Sequence, residues 1–124
     1  MATRRNVLVV EDNSQNFELV EFLLEDAGFG VRWAANAAEM RQRLAEGLPD
    51  LILMDIQLPG TDGLALIEEI RHLPGGDTLP IIALTAHAMR GDRERCLQAG
   101  CSDYLSKPID VGSFIKQVEA CLAL

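Results

Sequence analysis

A chain of 124 residues with 48% hydrophobic side chains is one domain of ordinary size that can bury a core, which argues against disorder. Its formal net charge of −8, with no lysine-rich or arginine-rich run, disfavours binding to nucleic acid or to an anionic membrane surface. No apolar stretch reaches the roughly 18 to 20 residues of a membrane span, and the N-terminus lacks the apolar region of a signal peptide, so we expect a cytoplasmic protein.

The chain opens with a strand pattern that is followed by a helix pattern. Residues 7–10 are a short β-branched apolar run that ends at two acids, Glu11 and Asp12. Asn13 or Ser14 is then suited to cap a first helix. Apolar residues recur along this helix at helical spacing and are expected to face the sheet, namely Phe17, Val20, Leu24 and Ala27.

The next strand and helix have weaker patterns. Residues 31–35 predict a second strand, and residues 37–48 predict a helix that turns Met40 and Leu44 inward. Pro49 is expected to end this helix, because proline cannot continue the helical hydrogen bonds.

Residues 51–54 are an unbroken apolar run that ends at Asp55. A run of this length fits a central parallel strand buried on both faces, although a short buried helix has the same lack of period. Pro59 and Gly63, in the segment that follows, favour the strand. In an open α/β sheet the ligand site lies outside the carboxyl ends of the strands, which is where this prediction puts Asp55.

The second half of the chain continues the alternation. Strands are predicted over residues 79–84, which end at Thr85, and residues 103–106, which end at Lys107. Three more helices are predicted, over residues 64–73, 89–99 and 111–121. Five strands alternating with five helices indicate a parallel sheet with helices on both faces.

Every predicted strand except the second ends in a polar side chain, so these ends converge wherever the strands are neighbours. The converging residues are Glu11, Asp12, Asp55, Thr85 and Lys107. Any one of them is an ordinary cap or turn former, but together the carboxylates repel each other unless a cation lies among them.

Hard oxygen ligands favour Mg²⁺ over zinc. A carboxylate beside Mg²⁺ can attack a phosphoryl group, with a lysine and a hydroxyl stabilising the transferring oxygens.

The three cysteines, Cys96, Cys101 and Cys121, are an odd number without the spacing of metal ligands. We expect reduced packing residues, with zinc binding as the weaker alternative.

The chain resembles the receiver domain of two-component response regulators over nearly its whole length. The resemblance rests on the acid pair after the first strand, the Met-Asp-x-x-Leu-Pro-x-x-Asp-Gly run at residues 54–63, the Thr-Ala step at residues 85–86 and the Lys-Pro step at residues 107–108. It implies a single receiver domain over residues 1–124 with a flavodoxin-like fold, a five-stranded parallel sheet in the order 2-1-3-4-5. It also implies a cis peptide between Lys107 and Pro108.

Within that family the chain looks most like stand-alone regulators of the DivK type and receivers fused to hybrid histidine kinases. Asn13, Asn16 and the segment over residues 87–100 carry this finer likeness. Both a complete protein and an excised domain fit the sequence.

The resemblance implies that Asp55 is the phosphoacceptor, taking phosphate from the phosphohistidine of a histidine kinase or phosphotransfer protein. The residues implied around it are Glu11, Asp12 and the Gln57 backbone carbonyl for Mg²⁺ and its waters, and Thr85 and Lys107 for the phosphoryl oxygens. The protein would then signal to a downstream protein target, as a monomer or weak dimer, and would catalyse only its own phosphorylation and dephosphorylation.

Four residues have further implied roles. Thr85 and Tyr104 would form the conformational switch, and the alternative is that Tyr104 is simply a half-buried strand residue. Gln57 and His87, each two residues past Asp55 and Thr85, would flank the path of the attacking water, although His87 is equally a solvated loop residue.

A flank of the first helix is predicted to dock the kinase. Gln15, Leu19 and Phe22 follow one another at helical spacing beside the sheet-facing side, and this flank is apolar where solvent would favour charge. The alternative is that the flank packs on neighbouring loops.

Two other function classes use parts of the same pattern. A Mg²⁺-dependent phosphohydrolase would need a general acid two residues after Asp55, where Gln57 stands. A flavodoxin-like electron carrier would need a phosphate-cradling loop after the first strand, where Glu11 and Asp12 would repel phosphate.

Overall fold

The structure, a computed structural model, describes residues 5–85 and 91–122. Strands and helices alternate along these residues in the order β1 Asn6–Val10, α1 Ser14–Asp26, β2 Gly30–Ala34, α2 Ala37–Glu46, β3 Leu51–Asp55, α3 Gly63–Arg71, β4 Ile81–Thr85, α4 Asp92–Ala99, β5 Asp103–Ser106 and α5 Val111–Cys121. None of these helices combines the length and hydropathy that crossing a bilayer requires.

The five strands run parallel in one sheet with the order β2-β1-β3-β4-β5. This order confirms the doubly wound, flavodoxin-like fold that the resemblance implies. The winding reverses between β1 and β3, and in such sheets the ligand crevice opens at the carboxyl ends of those two strands. Glu11 and Asp12 follow β1, and Asp55 ends β3, so the topology brings these three acids to one crevice.

The sheet separates two hydrophobic cores, because successive strand side chains point to opposite faces. In β1, Val7 and Val9 pack with α1 and α5, whereas Leu8 and Val10 pack with α2, α3 and α4. Every residue from Val7 to Val10 is fully buried. Burying one such side chain contributes about 1.5–3 kcal/mol to folding, so the inner strands form a firm base for the residues at their ends.

Polar side chains cap the start of four of the five helices of the described residues. Asn13 caps α1 by accepting a hydrogen bond from the backbone N–H of Asn16 at 3.0 Å, which confirms one of its two predicted caps. Asn36 caps α2, Asp62 caps α3 and Asp110 caps α5 in the same way. The loops that lead into α1, α2, α3 and α5 therefore each end at a side-chain cap.

The structure corrects several predicted boundaries. The second strand is Gly30–Ala34, one residue earlier than predicted, and β4 starts at Ile81 rather than at residue 79. Helix α2 ends at Glu46 because Gly47 follows with φ 148°, a conformation that side chains with a Cβ rarely adopt. Pro49 therefore does not set the end of this helix. The predicted start of the fourth helix, at residue 89, lies outside the described residues.

The prediction that Ala27 of the first helix faces the sheet is wrong. Phe17, Val20 and Leu24 are buried as expected, but Ala27 is exposed. Ala27 is the C-cap of the helix, one residue past its last helical position, so helical spacing no longer sets the direction of its side chain.

The cysteines are free thiols. Cys96 and Cys101 are buried in the core that α2, α3 and α4 share, and Cys121 is partly buried beside the other core. Burial raises the pKa of Cys101 to about 12, so this thiol is a poor nucleophile and a poor metal ligand at neutral pH. The cysteines serve as packing residues, as expected.

Candidate functional site

The carboxyl edge of the sheet carries all five polar residues that the sequence places there. Hydrogen bonds continue past the strand ends, since the backbone N–H of Lys107 donates to the Thr85 carbonyl at 2.7 Å. The backbone N–H of Ile56 likewise donates to the Leu84 carbonyl at 3.0 Å. The residues that leave the strands are thus held in register with one another. The Lys107–Pro108 peptide is cis, as the resemblance implies.

Lys107 bridges two of the acids. Its Nζ lies 2.8 Å from Glu11 Oε2 and 2.8 Å from Asp55 Oδ2. The carboxylate side chains are 2% and 3% exposed and the lysine side chain is 17% exposed, so the three charges are well shielded from water. Opposite charges at this distance in a partly buried site attract strongly, which explains how two acids can be buried side by side.

The other carboxylate oxygens are bound by backbone groups. Glu11 Oε1 accepts a hydrogen bond from the Asn13 N–H at 3.1 Å, and Asp55 Oδ1 accepts one from the Gln57 N–H at 2.9 Å. Each buried carboxylate therefore has both oxygens bound and a fixed orientation.

The loop after β3 is shaped by a glycine in the motif. A Cβ at Gly63 would lie 2.3 Å from Ile56 Cα, a distance that no side chain tolerates. The start of α3 thus packs directly against the residue that follows Asp55. This close contact explains the final glycine of the run at residues 54–63, and it holds the Asp55 loop against the sheet edge.

Burial and neighbouring charges shift the pKa values at this edge. Burial raises the pKa of the Glu11 carboxyl, and the charge of Asp55 adds to the rise, although the hydrogen bond from Lys107 opposes it. Burial by itself lowers the pKa of the Lys107 ammonium, but hydrogen bonds to Asp55 and Glu11 outweigh burial, and the pKa is raised. Lys107 is therefore charged at neutral pH. A further cation beside Glu11 would favour the charged carboxylate.

Three carboxylates at this edge form a group with the size of a metal site. One oxygen each from Glu11, Asp12 and Asp55 lies within 4.8 Å of the others, and Asp12 is exposed while the other two are buried. With one ammonium against three carboxylates, the group keeps two net negative charges. Hard oxygen donors open to water on one side favour Mg²⁺ over zinc. Gln57 lies in the adjoining loop, and the contribution of its backbone carbonyl stays a prediction.

Mg²⁺ is expected to raise the melting temperature of the protein, because it binds the folded acids and relieves their repulsion. At a Mg²⁺ concentration of 100 times Kd, linkage gives about 2.7 kcal/mol, which corresponds to roughly 10 °C for a domain of this size. Thermal unfolding with MgCl₂ against KCl of equal ionic strength measures the shift. Asp12→Ala is the control, because its exposed side chain can be removed without opening the core. No rise in the wild type, or an equal rise in the variant, would contradict the site.

Thr85 and Tyr104 lie on the same face of the sheet. Thr85 ends β4 and is 1% exposed, and Tyr104 lies in β5 beside Ala83. Tyr104 is partly buried and packs against the core shared by α2, α3 and α4. Thr85 at the site is therefore two residues along β4 from Ala83, and Ala83 is the strand partner of Tyr104.

Gln57 and His87 are the two residues predicted to flank the path of the attacking water. Gln57 is exposed, and its backbone N–H binds Asp55 as described above. His87 lies outside the described residues, and its predicted role beside the attacking water stays a prediction.

The predicted docking flank on α1 faces solvent. Gln15 is exposed, and the side chains of Leu19 and Phe22 are 42% and 67% exposed. A small pocket of about 60 Å³ lies between α1 and the loop after β5. Its lining includes Leu19 of α1 and two residues of the site, Glu11 and Lys107. The flank is thus continuous with the carboxyl edge, and among the described residues it is not covered by a loop.

Sequence reasoning missed one residue at this edge. Trp33 of β2 donates its indole Nε1–H to the Glu11 carbonyl at 2.7 Å. The register pairs Trp33 with Val9, two residues before Glu11, so the implied neighbourhood of the first two strands could have pointed to it. The sequence offered no chemical signal, because a tryptophan in a strand is ordinarily a packing residue.

Comparison with known proteins gives a consistent result. The family model described as the response regulator receiver domain matches residues 7–119. The chain is 42% identical over 124 residues to the polar-differentiation response regulator DivK of Brucella anthropi, an alignment that covers 95% of this chain and 96% of that protein.

Solved structures give the same picture. The receiver domain of the sensor histidine kinase PA1611 from Pseudomonas aeruginosa matches with a TM-score of 0.88 and 38% identity, covering 98% of this chain and 100% of that one. That structure has a magnesium ion coordinated in its active site cleft. A two-component response regulator from Clostridium difficile matches with a TM-score of 0.88 and 27% identity, covering 97% of each chain.

Proposed function

Because the chain belongs to the response regulator receiver domain family, we propose that Asp55 is the residue that accepts the phosphoryl group. The chain is a phosphoacceptor signalling module of a two-component or phosphorelay system. One observation supports Asp55 over the other acids. It ends β3, which lies next to β4, so it is the acid beside both Lys107 and the strand that ends at Thr85. Mass spectrometry after incubation with a phosphodonor tests this assignment.

The proposed chemistry is transfer to a carboxylate oxygen. An oxygen of Asp55 forms a bond to phosphorus while the P–N bond of the phosphohistidine breaks, and the electron pair returns to the imidazole of the donor. Lys107, already 2.8 Å from the Asp55 carboxylate, stabilises the charge of the transferring oxygens, and the Thr85 hydroxyl contributes a second hydrogen bond. Mg²⁺ held by Glu11, Asp12, Asp55 and the Gln57 carbonyl would neutralise charge on the phosphoryl oxygens.

We propose that the protein modifies only itself and is not an enzyme for small molecules. One transfer leaves Asp55 phosphorylated, and Gln57 stands where a phosphohydrolase of the aspartyl type would need a general acid. The phosphohydrolase alternative gains no support from the family match.

We propose a cytoplasmic protein that is a monomer or weak dimer and works between a histidine kinase or phosphotransfer protein and a downstream protein. Three free thiols are typical of a reducing compartment. The large exposed apolar side chains of the described residues are divided among α1, the loop after α2, α4 and α5, which is typical of proteins without an extensive permanent interface. They are Leu19, Phe22, Leu48, Leu97 and Val111.

Thr85→Ala is expected to leave Asp55 able to accept phosphate but to uncouple the response of Tyr104. The hydroxyl of Thr85 is proposed to move to the phosphoryl group and to draw the ring inward, and alanine has no hydroxyl to move. Tyr104 is the only tyrosine in the chain, so fluorotyrosine labelling gives one ¹⁹F NMR signal to follow.

Thr78→Ala is the matched control, because Thr78 is exposed and precedes β4 at its other end. The wild type and this control should show the same shift of the ¹⁹F signal on phosphorylation, and Thr85→Ala should show little or none. A wild-type shift in Thr85→Ala would refute the switch.

A further inference from the structure

Trp33 joins the second strand to the peptide between two of the proposed metal ligands. Its indole Nε1–H donates to the Glu11 carbonyl at 2.7 Å. That carbonyl belongs to the peptide unit that links Glu11 to Asp12. The orientation of this peptide sets the direction in which the Asp12 side chain leaves the backbone, so the indole hydrogen bond acts on both acids at once.

Trp33 is itself held in place through both its ring and its backbone. The ring of Phe17, from α1, stacks on it with a centroid distance of 4.5 Å and an interplanar angle of 8°. The Trp33 carbonyl accepts a hydrogen bond from Arg43 Nε at 3.2 Å, which ties the residue to α2. Trp33 therefore offers a donor in a fixed position, on a strand that contributes no other side chain to the site.

The remaining groups of Glu11 are also held. Its backbone N–H donates to the Ala34 carbonyl at 3.0 Å, and its carboxylate oxygens bind Asn13 and Lys107 as described above. The Glu11 N–H bond is part of the ordinary continuation of the sheet, whereas the bond to its carbonyl requires an indole at position 33. This carbonyl is the last polar group of Glu11, and its partner comes from outside the charged cluster.

We propose that Trp33 is a positioning residue for the metal site, which fixes the Glu11–Asp12 peptide so that both carboxylates point at one cation. This inference rests on the proposal that Glu11, Asp12 and Asp55 hold Mg²⁺. Groups that orient metal ligands without touching the metal commonly change affinity when they are removed, because the ligands must then be ordered at the moment of binding.

Trp33→Phe removes the N–H and keeps a flat ring that can stack on Phe17. The dissociation constant for Mg²⁺, measured by isothermal titration calorimetry, is expected to rise by roughly threefold to tenfold, the range for a lost neutral hydrogen bond that supports a ligand. Val118→Ala is the matched control. It truncates a fully buried side chain of α5 in the same hydrophobic core and lowers stability, but it leaves both the indole and the Phe17 ring in place, so its dissociation constant should stay near that of the wild type.

A second substitution separates the hydrogen bond from ring shape. Trp33 is the only tryptophan in the chain, so replacing tryptophan with benzothienylalanine during expression changes this position alone. The analogue has nearly the shape of indole but no N–H, and it should weaken Mg²⁺ binding as Trp33→Phe does.

The outcomes distinguish this inference from the proposed function. A wild-type chain that binds no Mg²⁺ would overturn the metal site and the role of Trp33 together. Wild-type binding with an unchanged dissociation constant in Trp33→Phe and in the analogue would overturn only the role of Trp33. Equal weakening in Trp33→Phe and Val118→Ala would also overturn it, because the effect would then follow general stability.

Discussion

Asp55→Asn is expected to abolish phosphorylation by every donor while the protein stays folded. The amide has nearly the volume of the carboxylate but lacks the charged oxygen that attacks phosphorus. Its oxygen can still accept the Gln57 N–H, and Lys107 keeps its second partner, Glu11, at 2.8 Å. Mass spectrometry after incubation with acetyl phosphate and Mg²⁺ should show the phosphorylated mass for the wild type and none for the variant, with matching circular dichroism spectra.

Asp62→Asn is the matched control for that experiment. Asp62 is exposed in the same loop and caps α3 through the Leu64 N–H at 3.0 Å, a role that asparagine fills equally well. This variant should be phosphorylated like the wild type. If Asp55→Asn still gained a phosphoryl group, or if Asp62→Asn failed to gain one, the assignment of the phosphoacceptor would be wrong.

Replacing both Leu19 and Phe22 with glutamate is expected to slow transfer from the cognate kinase on the order of 100-fold or more, since interface anchors often contribute about 2 kcal/mol each. Both side chains are exposed on α1, and Leu19 also lines the pocket that reaches Lys107. A phosphohistidine must reach Asp55 past the loop that starts this helix, so a partner presenting it would rest on this flank. Acetyl phosphate needs no docking surface and should still modify Asp55.

The control places the same two charges elsewhere. Leu48 and Leu97 are 39% and 42% exposed, in the loop after α2 and in α4, and replacing both with glutamate changes the net charge by the same amount. This variant should accept phosphate from the kinase at close to the wild-type rate. Equal loss with kinase and acetyl phosphate in the α1 variant would mean that the flank supports the fold. Unchanged transfer with both donors would mean that the kinase binds another surface.

Residue types and spacing were enough to predict the strands and the edge at which the site lies. The buried run that ends at Asp55 and the shorter run that ends at Glu11 needed only apolar length and turn residues to be recognised. The order of the strands did not follow from periodicity, because pairing between strands distant in the chain leaves no mark on the spacing of either one. It came from the resemblance, and the structure confirms it.

The details that the sequence could not supply depend on three-dimensional distances. Lys107 contacts both Glu11 and Asp55. Predicting this double contact requires the relative positions of three strand ends along the sheet, which the order of strands in the sequence does not give. Trp33 was missed for the same reason, since its indole reaches across to the neighbouring strand. The end of α2 was predicted from Pro49, because proline cannot continue a helix. The helix ends earlier, at Glu46, because Gly47 leaves the helical conformation first.

The ion pair between Lys107 and Glu11 joins residues 96 positions apart in the chain. Contacts of such long range form late in folding, because the entropy of closing a long loop must be offset by contacts already made. A nascent chain still lacking β5 would therefore present Asp55 without its ammonium partner. The proposed phosphoacceptor site is therefore complete only once β5 has joined the sheet.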